Sequence, residues 1–340
     1  MNKSHLTALA LALVALAVHA SAVEYREAKD WLRLPDVNAK PTNQHGDVAV
    51  SSKGEVYVST MDPDAGVQVF SQNGKFLRNV PGAPNDFHGF VIHKDRDGEF
   101  IYGPRLVAQS IVKMTLDGKI VLEIPASAIP DEFKNVVPPN TKKNKDGVVP
   151  NNPDAGKRMV RLTAMDVAPN GDLFVTDGYA SDYIHRFDRH GKYLKSFGGK
   201  KAPYGFKTLH KIAIDTRFTP ARIIGVDRAN GRVVHLSLDG DFLGVIAQDM
   251  LLPAALALQG DLVVIGELKG QVTVLDQAGH VVAKFGTNSN PDEAGKNTPA
   301  PAKWIAGVVT APHGVAFNDH GDIFVSEYSL FGRVHRFNRM

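Results

Sequence analysis

Short apolar runs separated by polar turns recur along the whole chain, and the clearest example is Ala311 to Phe337, APHGVAFNDHGDIFVSEYSLFGRVHRF. Gly314 to Phe317 leads through the turn Asn318 to Gly321 into Ile323 to Val325, and after a loop comes Arg333 to Phe337. Runs of four or five residues, β-branched or aromatic and bounded by Gly, Asn and Asp, predict antiparallel strands rather than helices. Matching segments begin at Gly46, His88, Thr163, His210 and Ala254, so the chain contains six copies of one unit.

In five of the copies a tight turn and a fourth strand follow, in SQNGKFL, TLDGKIV, DRHGKYL, SLDGDFL and DQAGHVV. Glycine at each turn meets the positive φ that a tight hairpin requires. The copy at Ala311 stops at Met340 without this piece, while a strand-like segment, Trp31-Leu32-Arg33-Leu34, precedes the first copy unassigned. The expectation is an all-β chain forming a single domain over residues 23–340, a six-bladed β-propeller of four-stranded antiparallel blades closed by that N-terminal strand. Two polar stretches, about 130–160 and 287–310, read as insertions without strands of their own, on the face where first strands begin.

Composition adds a compartment and removes some chemistry. Lys3, the apolar run Leu6 to Val18 and Ala20-Ser21-Ala22 read as a secretory signal over residues 1–22, cleaved near Ala22, which places the mature chain in a periplasm or outside the cell. With no cysteine there are no disulfides, no thiolate ligands and no lipid anchor through a thioether, leaving histidine and carboxylates to hold any metal. A net charge of +3 without a basic run argues against nucleic acid, so the expected partner is a small-molecule or peptide substrate.

The residues heading the six units are Gly46, His88, Thr163, His210, Ala254 and His313, with histidine in alternate places. Alternate blades of a six-bladed ring are related by about 120°, and first strands are innermost, so the three imidazoles should meet at one end of the channel. Three histidines with a free fourth position are the ligand set of a catalytic zinc site. A lone histidine at a strand start is ordinarily a hydrogen-bonded structural residue; the alternation sets these three apart. The other histidines, including His93, His185, His190, His235, His320 and His335, fall in turns or third strands and are read as surface residues. The ends of the second strands share the face of the imidazoles and offer Arg105, Tyr179 and Arg228. A phenol beside a cation can act as a general base, and an arginine can grip a carboxylate.

Three stretches, FVTDGYASDYIHRFDRHGKYLKSFG from Phe174, VDRANGRV from Val226 and APHGVAFNDHGDIFVSE from Ala311, make the chain resemble the peptidyl-α-hydroxyglycine α-amidating lyases, within the NHL-repeat propellers. The resemblance implies zinc on His88, His210 and His313, Tyr179 as base, Arg228 on the substrate carboxylate, and cleavage of a carbinolamide to an amide and glyoxylate. The chain departs from that pattern in two places. Met61-Asp62 stands where the family has a further arginine, with Arg105 of the next blade as the stand-in. Gly314 stands where the family has an aspartate near a channel calcium, with Asp47 of the first blade as the candidate replacement. A metal-dependent hydrolase such as a lactonase, and a non-catalytic binding module, remain open as alternatives.

Overall fold

The computed structural model describes residues 23–29, 31–32, 43–142 and 149–340. The segment read as a secretory signal lies outside the described residues, as do Arg33 and Leu34. Six four-stranded antiparallel sheets follow one another around a channel, as the six repeats require. The first begins with Val48–Val50 and the last with Pro312–Phe317. Each sheet runs in sequence order from the axis outward, except the last.

The last sheet takes its outer strand from the N-terminus, but from Tyr25–Glu27 rather than from the segment at Trp31. Tyr25 pairs with Arg339 and Glu27 with Phe337. Trp31 instead wedges between the last and first blades, its ring 5.2 Å from Phe324 and 6.4 Å from Phe70, and its Nε1 donates to the Gln72 carbonyl at 2.6 Å. The seam buries the large apolar face of the indole, which an exposed edge would leave in water, whereas a short charged strand suits an edge.

Among the described residues, apolar side chains form six clusters, and each lies between two neighbouring blades. The core is therefore a set of radial seams around a polar axis. This geometry buries both faces of the second and third strands, which corrects the reading of three histidines as surface residues. His185, His235 and His335 lie on third strands and are buried, bonded to Ser196, to Asp215, and to Glu27 with Glu327 respectively.

The insertion at about 130–160 also departs from expectation. Asn135–Val136 pairs with Arg158–Met159 as a two-stranded ribbon, and Ile129 and Val160 at its roots are buried against the second and third blades. The second insertion has a single 3-10 turn at Pro301–Lys303 and no strand. Among the described residues no helix is long and apolar enough to cross a membrane.

Candidate active site

The six unit heads sit where the innermost strand enters its sheet, and at several of them the register is broken. His210 falls in the irregularity between Leu209 and Lys211, Ala254 in that between Pro253 and Ala255, and His313 in that between Pro312 and Gly314. A bulge re-aims the extra residue out of the ladder. Here it turns the head side chain toward the axis.

A repeated carboxylate fixes the chain just before these heads. At the end of the second strand, Asp177 accepts the Arg161 N–H at 2.5 Å and Asp227 accepts the Lys207 N–H at 2.8 Å. Glu267 takes the Leu251 N–H, and Glu327 those of Thr310 and Ala311. All four acids are buried, so each fastens an incoming loop through otherwise unpaired donors.

His88, His210 and His313 converge as expected, with ring centroids 4.7 to 4.9 Å apart. Their alternation with non-histidine heads has a second consequence. His88 Nδ1–H donates to the Thr163 carbonyl at 2.8 Å, His210 Nδ1–H to Ala254 at 2.5 Å, and His313 Nδ1–H to Gly46 at 2.9 Å. Each acceptor is the head of the following blade. A carbonyl can only accept, so the tautomer is set and all three Nε2 lone pairs are left free to face one another. Burial holds all three pKa values well below the ordinary imidazole value, and the neighbouring imidazoles and Arg228 add to this.

Tyr179 enters this ring from the third blade. Its hydroxyl lies 3.0 Å from His88 Nε2, 3.1 Å from His210 Nε2 and 3.3 Å from His45 Nε2, and it accepts from Arg228 Nη1 at 3.2 Å. Burial raises the Tyr179 pKa, and the adjacent Arg228 guanidinium opposes that rise. The buried His313 Nε2 has no hydrogen-bond partner. Neutral imidazoles with backbone-anchored Nδ1 atoms, and one buried lone pair unsatisfied, are the donor set that a divalent metal accepts.

The two other sequence candidates have different surroundings. Arg105 Nε donates to Asp86 at 2.8 Å, and Nη1 lies 3.8 Å from Glu123 on the outermost strand of its blade, so the guanidinium is held away from the axis. Asp47 lies one layer below the imidazoles, in a small void that it lines with His88, His210, His313 and Lys211. Its carboxylate is paired with the Lys211 ammonium from the opposite blade and accepts the Val48 N–H at 2.9 Å. A cation at Asp47 would have to displace that ammonium. Gly314 lies against this pair, since a Cβ there would come within 2.5 Å of Asp47 Oδ1.

His45 is the residue that sequence reasoning passed over. It directly precedes the head Gly46, one place outside the aligned column, and its ring packs 4.8 Å from those of both His88 and His313 and 4.5 Å from Tyr328. Burial lowers its pKa to about 4, with Arg228 contributing. The larger cavity, about 950 Å³, opens at the other end of the channel, lined by strand ends that include His93, Asp95, Asp166 and Asp319. The converging imidazoles and phenol are not at that end.

No protein-family model matches this chain, and no curated protein does. Solved structures do resemble it. Virginiamycin B lyase from Staphylococcus aureus aligns at a TM-score of 0.56 and 14% identity, over 94% of this chain and 100% of that one. A streptogramin B lyase structure aligns at a TM-score of 0.54 and 14% identity, over 94% and 97%. A catalytically inactive histidine-to-alanine variant of the staphylococcal lyase, solved with quinupristin, gives 0.54 and 13%, over 94% and 99%. At such identities the likeness is one of fold.

Proposed function

We propose that this chain is a metal-dependent propeller lyase that splits a carbon–nitrogen bond in a carboxylate-bearing carbinolamide, releasing an amide and glyoxylate. The observation that carries this reading is the convergence of His88, His210 and Arg228 on the Tyr179 hydroxyl, beside the unsatisfied Nε2 of His313. His88, His210 and His313 would hold the metal, with zinc the best match to three imidazoles and no thiolate. A cation bound there supplies positive charge that favours deprotonation of nearby hydroxyls and stabilises developing negative charge.

The chain's own groups account for the remaining chemistry. Arg228 grips the substrate carboxylate and orients the hydroxyl toward Tyr179. Tyr179, as phenolate, takes the hydroxyl proton; the electron pair left on oxygen forms the aldehyde C=O bond as the C–N pair departs with the amide nitrogen. The proton returns from the phenol to the departing amide nitrogen. No water or redox partner is consumed, and the base is regenerated.

The test is glyoxylate release from α-hydroxyhippurate, run beside a lactone panel and quinupristin, on protein purified without a histidine tag and analysed for metal. Glyoxylate release that stops on chelation and returns with zinc supports the reading. Lactone hydrolysis alone would make it a hydrolase. Quinupristin cleavage alone would favour a lyase acting on a cyclic peptide antibiotic, a second reading motivated by the fold shared with the streptogramin lyases. Less than a tenth of a metal ion per chain, unchanged in His210→Ala, would overturn metal dependence.

A further inference from the structure

We propose that His45 is a fourth imidazole of the metal centre, supplied by the first blade and closing the open side of the triad. This rests on the metal reading above, and it concerns which side chains of this chain reach the ion.

The position of His45 is built rather than incidental. Gln44 N–H donates to the Ser329 carbonyl at 2.7 Å, the Ser329 N–H returns to Gln44 at 3.0 Å, and Gln44 Oε1 accepts the Arg333 N–H at 2.7 Å. Gln44 is fully buried, so the residue before His45 is fixed to the last blade. The residue after it is fixed as well. A Cβ on Gly46 would come within 2.1 Å of Ser59 Oγ, and the Gly46 carbonyl accepts the His313 Nδ1–H. Held on both sides, the His45 side chain enters between Tyr328 and the two rings of His88 and His313.

The ligand atoms of His45, His88 and His313 all lie within 4.8 Å of one another. Nitrogens about 2.0–2.1 Å from a tetrahedral zinc stand about 3.4 Å apart, so each ring needs to move by less than about 1 Å. The Tyr179 hydroxyl now lies within hydrogen-bond reach of the His45 and His88 nitrogens. Two sets of three therefore share His88 and His313, the alternate-blade set completed by His210 and a second completed by His45, with ring centroids 4.7 to 4.9 Å apart in both. A single ion held by the shared pair would have both His45 and His210 beside it.

A fourth imidazole changes what the centre does before substrate arrives. His45 would take the position that three histidines leave to water, and it is the ligand that would give way to a substrate oxygen. His45 is only partly buried, whereas the other three rings are buried, so it is the one of the four with solvent beside it.

The experiment compares zinc affinity, by competition with a chromophoric chelator, and the visible absorption of the cobalt-substituted protein, in wild type, His45→Phe, His45→Ala and His210→Ala. Phenylalanine keeps a ring against Tyr328 and removes only the nitrogens. The expected result is a loss of zinc affinity of at least about tenfold in both His45 variants, with a weaker cobalt band, while circular dichroism is unchanged. If His45→Phe binds zinc within twofold of wild type with an unaltered cobalt spectrum, while His210→Ala loses the metal, this inference fails and the three-histidine reading stands. If wild type binds neither metal, both fail.

Discussion

His313 and His335 lie on the first and third strands of one blade, both buried, yet they have opposite chemistry. His313 donates Nδ1–H to a carbonyl, and its second nitrogen meets no acid, only other imidazoles and a phenol beyond them. His335 touches carboxylates on both sides, Glu27 at 2.5 Å and Glu327 at 2.6 Å. Burial acts to lower the pKa of both. At His313 nothing of opposite charge compensates and the ring stays neutral. At His335 the two glutamates outweigh burial and the opposing Arg333, and the pKa rises. Burial alone does not distinguish an available imidazole from a clamp; the partner of the second nitrogen does. The axis keeps lone pairs available, and the rim uses charge to fasten the closing strand, because Glu27 belongs to Tyr25–Glu27.

The largest effect that would sharpen this contrast is at the axis. Tyr179→Phe removes the hydroxyl on which three imidazoles and Arg228 converge, without opening a cavity. Turnover in the glyoxylate assay should fall by about 10²–10⁴-fold with no change in melting temperature. Retention of full activity would remove Tyr179 from the chemistry.

At the rim the expected effect is on stability instead. Glu327→Ala leaves His335 and Arg333 short of a counter-charge and strips the Thr310 and Ala311 N–H groups of their acceptor. Loss of one partner from such a buried network costs about 3–5 kcal/mol, readable by urea unfolding. Activity per folded molecule should be nearly unchanged. If stability held and activity fell, the division between the two regions would be wrong.

The same clamp has a defined pH signature. His335 has a raised folded pKa, so its contribution is fully present below its ordinary value of 6.5 and is lost as pH rises through the folded value. Glu327 and Glu27 have lowered folded pKa values, so theirs is present above 4.5 and lost as pH falls through the folded values. The stability difference between wild type and His335→Gln should therefore be greatest between about 4.5 and 6.5 and shrink toward alkaline pH. A difference independent of pH would mean that His335 acts by packing alone.

How much of this was legible in the sequence follows from which signals are local. The strand repeats, the turn glycines and the alternating heads are periodic, so the blade count and the three axial histidines could be read off by alignment. Tyr179 and Arg228 were reachable because second-strand ends share a face with first-strand starts. The closing strand escapes the sequence pattern because Tyr25-Arg26-Glu27 is short and charged and has no apolar signature, whereas the segment at Trp31 has one. His335 looked exposed because a polar residue in a strand normally marks a solvent face, and only the packing of blade on blade reverses that. His45 was missed because an alignment column ends at the head residue, while a side chain one place earlier reaches the same axis.

The smallest expected effect tests the boundary between the two regions. Arg105 ends a second strand, as Tyr179 and Arg228 follow theirs, and by position alone it belongs with them. Its guanidinium is instead engaged by Asp86, which also accepts the Val107 and Ala108 N–H groups and so has partners of its own. Partly exposed pairs of this kind contribute about 0.2–1 kcal/mol. Arg105→Ala should leave turnover and KM for a carboxylate substrate within about twofold and lower stability by no more than that contribution. A rise in KM comparable to that of Arg228→Ala would mean that Arg105 leaves Asp86 when substrate binds, and that the second blade supplies a carboxylate grip which the substrate-free arrangement keeps folded outward.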